Sequence, residues 1–290
     1  MLSFLSSFAA EDGPAVHVAP GVDFTVAGIH VTNSMLYGWI VNVFLIAVLV
    51  YVARKVTIKP KRGLTQYVEA GVGFVSDLVV NAFDDKKVGR KYVPFFVTLF
   101  FFILLNNWLG LVPVVGEGFQ VHDHPVFRPM TGDLNTTIAM GLVTMGVIYV
   151  ASIREIGGFF KYIRHFFIGS PLNPLYLVIG LIEMMTDLTR ALSLALRLFL
   201  NVTIGEIVIA VFAYLGGLLA PSDVLAPVTA LPFTLLELGV GALQAYIFVI
   251  LGVNYLAISV NSAHAHDEHD EATTEDAVDV TKASPKGATA

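Results

Sequence analysis

Five ionisable residues, Glu183, Asp187, Arg190, Arg197 and Glu206, stand inside otherwise apolar sequence. At mid-membrane each costs about 2.5 to 3.5 kcal/mol on insertion scales, so such residues need a reason. Counted from Glu183, the offsets to Asp187, Arg190, Arg197 and Asn201 are 4, 7, 14 and 18 positions. At about 100° per helical residue all of them fall within about 40° of one line, which makes a single polar stripe. Glu206 is nine positions past Arg197, on the opposite side of the helix and about 13 Å further along it. In the last apolar segment Glu237 and Gln244 are seven apart and share a face, which offers Glu206 a partner across a helix interface.

Carboxyl groups exchange protons, whereas an arginine keeps its proton and interrupts a continuous proton wire. A carboxylate cluster on each side of an arginine therefore reads as an entry path, a block and an exit path for protons. Arg197 would attract a carboxylate on a moving partner, favour its ionised form and make it release its proton. Plainer readings stand beside this one. Arg190 has the spacing for an ion pair with Asp187 or Glu183, and Glu206 and Glu237 could share a proton in an interhelical hydrogen bond. Arg197 has no acidic residue three or four positions away, so a local pair is closed to it and its partner must come from elsewhere. Asn106 and Asn107 read as helix-packing or turn-forming groups.

The elements that position these residues follow from composition. The chain is 56% apolar and 14% charged, with a mean hydropathy of +0.74, outside the range of a soluble domain. It contains no cysteine, which excludes disulfides, cysteine metal sites and thiol nucleophiles. The net charge of −6 argues against nucleic acid as a partner. No Walker-type glycine loop is present, so ATP chemistry belongs on another chain. The start, Met1 to Ala10, lacks a basic stretch and a small-residue cleavage site, and does not read as a cleaved leader.

Apolar runs predict spans at 35–53, 92–112 and 134–153, with an amphipathic helix at 64–83. The basic groups Arg54, Lys55, Lys59, Lys61 and Arg62, then Lys86, Lys87, Arg90 and Lys91, then Arg154, Lys161 and Arg164 fall on one side, predicted to be cytoplasmic. The 64–83 helix is expected to lie along the membrane surface, with packing on other spans as the alternative. The apolar stretch 175–219 is too long for one upright span, and it carries no proline or turn cluster between Pro174 and Gly216, so a long tilted helix is predicted. A second follows at 225–260. Residues 1–34 read as an extracytoplasmic segment, and 261–290, with His264, His266 and His269 among acidic residues, as a disordered cytoplasmic tail that need not bind metal. The fold class is an all-α polytopic membrane protein with about five membrane-embedded helices and one amphipathic surface helix, the last two helices long and strongly tilted.

Leu196-Arg197-Leu198-Phe199-Leu200-Asn201, followed by Gly205-Glu206, resembles the signature helix of the ATP synthase subunit a family, of the bacterial F-type. Leu231-Pro232-Phe233 leading to Leu243-Gln244-Ala245-Tyr246-Ile247-Phe248 is similar to the family's last helix. Asn107-Trp108-Leu109-Gly110-Leu111-Val112-Pro113, Asp133-Leu134-Asn135 and Ile156-Gly157-Gly158-Phe159 extend the likeness over roughly 35 to 260. The resemblance implies that Arg197 faces the carboxylates of the rotor c-ring. It also implies that Asn201, Glu206, Glu237 and Gln244 line the outer half-channel with Asp133 near its mouth, and that Glu183 lies toward the cytoplasmic half-channel. Implied partners are the c-ring, the peripheral stalk b subunits, the soluble catalytic head and the lipid bilayer of a bacterial plasma membrane; no cofactor is implied. Leu200 stands where the family usually has a small residue, and Glu206 and Glu237 are both acidic where many relatives pair one acid with a histidine. The alternative from another class is a stand-alone proton-coupled secondary transporter, which commonly shows an internal repeat and broken helices that this sequence lacks.

Overall fold

The computed structural model describes the backbone of residues 22–26, 29–55, 63–112, 120–121, 124–125, 128–158, 174–219 and 225–282. The side chains of Glu183, Asp187 and residues 262–282 lie outside those described. Six helices dominate: α1 (Asn33–Lys55), α2 (Leu64–Asn81), α3 (Lys86–Gly110), α4 (Leu134–Glu155), α5 (Pro174–Leu219) and α6 (Leu225–Lys282). All except α2 contain a stretch long and apolar enough to cross a membrane. The protein is an all-α polytopic membrane protein.

An antiparallel hairpin, β1 (Val22–Val26) and β2 (Ile29–Thr32), leads directly into α1. A second, minimal hairpin, β3 (Gln120–Val121) and β4 (His124–Pro125), lies between α3 and α4. The helices outrun the apolar runs because hydropathy marks the lipid-facing part of a helix rather than its ends. α3 starts at Lys86, where the Asp85 carboxylate accepts from the Lys87 backbone N–H at 2.8 Å and caps the first turn. α6 carries on through the segment expected to be disordered, reaching Lys282. From Val253 to Lys282 that segment contains no glycine or proline, so nothing local stops the helix before Pro285.

The amphipathic α2 buries Val75 and Val79 and folds back along α3. The Gly89 Cα faces the backbone of Val79 and Val80, and Gly71 faces the Phe101 ring. Those two pairings run in opposite sequence directions, so α2 and α3 form an antiparallel hairpin. Phe74 reaches both Phe100 and Tyr246, with ring centroids 6.4 and 5.8 Å away. At the basic end Glu155 ties α4 to α3, accepting from Lys91 Nζ at 3.0 Å and from the Tyr92 hydroxyl at 2.8 Å.

The core runs between α3, α4, α5 and α6, through Phe96, Ile103, Ile148, Leu198, Phe248, Val249 and Val253. α5 and α6 pack on one another along their length, with Phe212 stacked on Phe233 at 3.7 Å. The Thr229 hydroxyl donates to the Phe212 carbonyl at 2.8 Å. Asn107 Nδ2 and Trp108 Nε1 of α3 donate to the carbonyls of Gly241 and Leu238 on α6, at 3.2 and 3.0 Å. Asn107 thereby acts as a helix-packing group and fixes the turn of α6 that follows Glu237.

Candidate functional site: a lone arginine between two cavities

Arg197 lies on the exposed side of α5, beside the exposed Thr189 and Ser193 and among Leu192, Leu200 and Ile204, which are 47%, 48% and 55% exposed. It makes no ion pair or hydrogen bond among the described residues. Of the most apolar 18 residues within the described stretch Leu188–Leu218 of α5, 22% are buried, against 44% of those within Pro227–Asn261 on α6. The helix that holds the intramembrane charge is thus the one the chain covers least. An arginine on an apolar, uncovered face is costly in hydrocarbon, and its fork of donors calls for a carboxylate.

Two concavities meet at this side chain. One, of about 550 Å³, extends toward the start of α5 and is lined by Thr186, Thr189, Arg190, Ser193 and Arg197, with Leu251 and Tyr255 of α6. The other, of about 570 Å³, starts beside Thr189 and Ser193 and extends past Leu200, Asn201 and Ile204 to Gln244. Arg197 lines both, as do Thr189 and Ser193. Along the first, the Arg190 guanidinium sits 5.1 Å from the centre of the Tyr255 ring, close enough for a cation–π contact. The side chains of Glu183 and Asp187, expected on this same stripe, lie outside those described.

Along the second, Gln244 is 4% exposed. Its Nε2 and the Asn201 Nδ2 are buried donors without an acceptor among the described residues, an arrangement that favours small hydrogen-bonding guests. Glu237, 8% exposed, presses its carboxylate against Gly205, and a Cβ at that position would overlap it. Glycine next to Glu206 is therefore what lets the α6 carboxylate approach the α5 backbone. The nine-residue offset has the expected consequence, since Glu206 leaves the exposed face that carries Arg197 and turns toward a loop segment.

That segment is a single 3₁₀ turn, Met130–Gly132, ahead of α4. It dips into the bundle because Gly38 of α1 and Gly110 of α3 leave room for Met130 and Pro129. Asp133 follows and caps α4, accepting from the Asn135 N–H at 3.0 Å, while its other oxygen accepts from the Ser34 hydroxyl at 3.1 Å. Around it Asn33, Ser34, Arg128, Thr131 and Thr137 are all buried. Sequence reading singled out Asp133 alone from this cluster. Arg128, the single arginine in the segment between α3 and α4, is a member of the cluster that no local sequence pattern marks.

A bundle of span-length apolar helices that carries an uncovered arginine, Arg197, with buried carboxamide and carboxylate groups beside it defines a polytopic membrane protein with charged groups inside its apolar helices. Residues 35–257 match the family model for the ATP synthase A chain. ATP synthase subunit a of Gloeobacter violaceus is 31% identical over 82% of this chain and 86% of its own. That of Hyphomonas neptunium is 36% identical over 74% and 80%, and that of Myxococcus xanthus 30% over 86% and 79%. The chain belongs to the ATP synthase subunit a family, a component of the membrane sector of ATP synthase in bacterial membranes.

Proposed function

We propose that this chain is the proton-translocating stator of an F-type ATP synthase, forming two offset half-channels against the rotor c-ring and coupling proton flow to rotation. The observation that carries the reading is Arg197, exposed on an apolar face and lining both concavities. Protons enter along one concavity and leave along the other, and a cation that cannot deprotonate lies between them. A rotor carboxylate passing Arg197 is drawn into its ionised form and gives up its proton on one side before taking up another on the other.

In this reading Asn201, Glu206, Glu237 and Gln244 line the outer path, Asp133 stands near its mouth, and Glu183 and Asp187 belong to the cytoplasmic path. The basic ends of α1, α3 and α4 face the cytoplasm and the N-terminus lies outside, following the positive-inside rule. The apolar runs 175–219 and 225–260 both exceed the roughly 20 helical residues that cross a bilayer core upright, so α5 and α6 tilt strongly from the membrane normal, which lays them along the flank of a ring. The chain is not catalytic alone; ATP chemistry takes place in the soluble head, and the b subunits of the peripheral stalk hold this subunit still.

The test uses the absence of cysteine. In an assembled complex Leu200→Cys, on the exposed face beside Arg197, should cross-link to a cysteine placed in the lipid-depth half of the c subunit. Val143→Cys on α4, 62% exposed, should not. Equal cross-linking of both, or purification of the chain without a ring of small hairpins, would remove the stator reading in favour of the transporter.

A further inference from the structure

Arg128 is 3% exposed, and among the described residues only one of its nitrogens finds an acceptor. Nη2 donates to the Gly132 carbonyl at 3.2 Å, while Nε and Nη1 are buried without an acceptor among the described residues. A buried guanidinium so placed is costly unless an anion faces it. The point where a Cβ on Gly132 would stand is 3.6 Å from Glu206 Oε1 and 3.7 Å from Arg128 Nε. Arginine and carboxylate therefore flank one small gap above the Gly132 backbone.

Among the described side chains, the other titratable groups at this end are Tyr37 of α1, Asp133 ahead of α4 and Glu237 of α6. α3 brings only Asn106, Asn107 and Trp108 close. Asp133 is already engaged by Ser34 and by the first turn of α4, and Glu237 sits against Gly205. Glu206 is thus the carboxylate that shares the gap with the open side of Arg128.

We propose that Arg128 is a positioning residue for proton entry, a fixed buried counter-charge on the Met130–Gly132 turn that holds the Glu206 carboxylate across the Gly132 gap. The inference rests on the assignment of Glu206 to the outer path. It assigns this chain a second arginine with a role distinct from that of Arg197: Arg197 meets a partner that moves, and Arg128 holds a carboxylate that stays.

The experiment compares ATP-driven acidification of inverted vesicles carrying assembled complexes with Arg128→Lys, Arg128→Met, Glu206→Gln and the double variant Arg128→Met/Glu206→Gln. Lysine, which keeps the charge, should retain at least half of the wild-type rate, and methionine, which keeps only the length, should lose tenfold or more. The double variant should be no slower than Glu206→Gln alone, because the two groups act as a unit. Equal rates for lysine and methionine, or losses that multiply in the double variant, would overturn the proposal by showing a packing role.

If Arg128→Met does not assemble, Gly132→Ala decides. Its methyl stands at ordinary contact distance from both groups, so the fold tolerates it, and it should slow pumping several-fold by filling the gap. Wild-type pumping in Gly132→Ala would overturn the proposal. Wild-type pumping by Glu206→Gln would instead fail the outer-path assignment, a different result from normal pumping by Arg128→Met beside an impaired Glu206→Gln.

Discussion

Replacing Gly205 by alanine should separate proton transfer from stability at the α5–α6 interface. A Cβ at Gly205 falls well inside van der Waals contact with the Glu237 carboxylate carbon and both of its oxygens. To regain ordinary contact the carboxylate must retreat by about 1 Å. It is the far end of a flexible side chain, so the stability cost stays at about 1 kcal/mol, the low end for overpacking. Proton transfer is less forgiving, since a displacement of about 1 Å of a positioned group costs up to about 10²-fold in rate. ATP-driven acidification of inverted vesicles should therefore fall roughly 10- to 100-fold in Gly205→Ala, with the complex assembled and its thermal midpoint lowered only slightly. Glu237→Asp, one methylene shorter, returns the room, and the double variant should pump faster than Gly205→Ala alone. Undiminished pumping in Gly205→Ala would refute the claim that the approach of Glu237 to this backbone is part of the path, as would a double variant slower than either single one.

Other outcomes follow from the same geometry. Asp133→Ala removes the cap of α4 and the acceptor of Ser34, and should lower stability by about 1 to 2 kcal/mol, read as the thermal midpoint of the purified complex. Asp133→Asn, which keeps an acceptor oxygen, should recover most of it. Glu155→Gln breaks a pair between an exposed Lys91 and a mostly buried Glu155 while keeping an acceptor for Tyr92. It should cost about 1 kcal/mol, the upper end for a surface pair, and leave pumping unchanged, measured by the same midpoint and the same acidification assay.

Helical periodicity carried much of the site. The spacing of Arg197 and Glu206 alone puts them on opposite sides of α5, and in the structure one faces outward while the other meets the Met130–Gly132 turn. Hydropathy carried the spans but not their ends. It cannot see that Lys86 to Lys91 are helical under an Asp85 cap, or that a charged segment continues α6 to Lys282. α2 had two readings in the sequence; its valines are laid on α3, a contact that periodicity allows without specifying. The β1–β2 hairpin had a signal, alternating Val22-Asp23-Phe24-Thr25-Val26 and Ile29-His30-Val31-Thr32 around Ala27-Gly28, which composition-led reading of the N-terminal segment passes over. Arg128 was beyond reach for a different reason. Burial of a loop arginine depends on how Gly38 and Gly110, distant in sequence, make room for a turn, and no local pattern encodes that.

The proposed role of Arg197 lies at the translocation step. Its most direct test is acidification of inverted vesicles carrying wild type or Arg197→Ala, with assembly of the complex verified in both. Arg197→Ala should give an assembled complex that does not pump, because Arg197 then neither separates the two concavities nor discharges the rotor carboxylate. Coupled pumping retained by assembled Arg197→Ala would contradict that role.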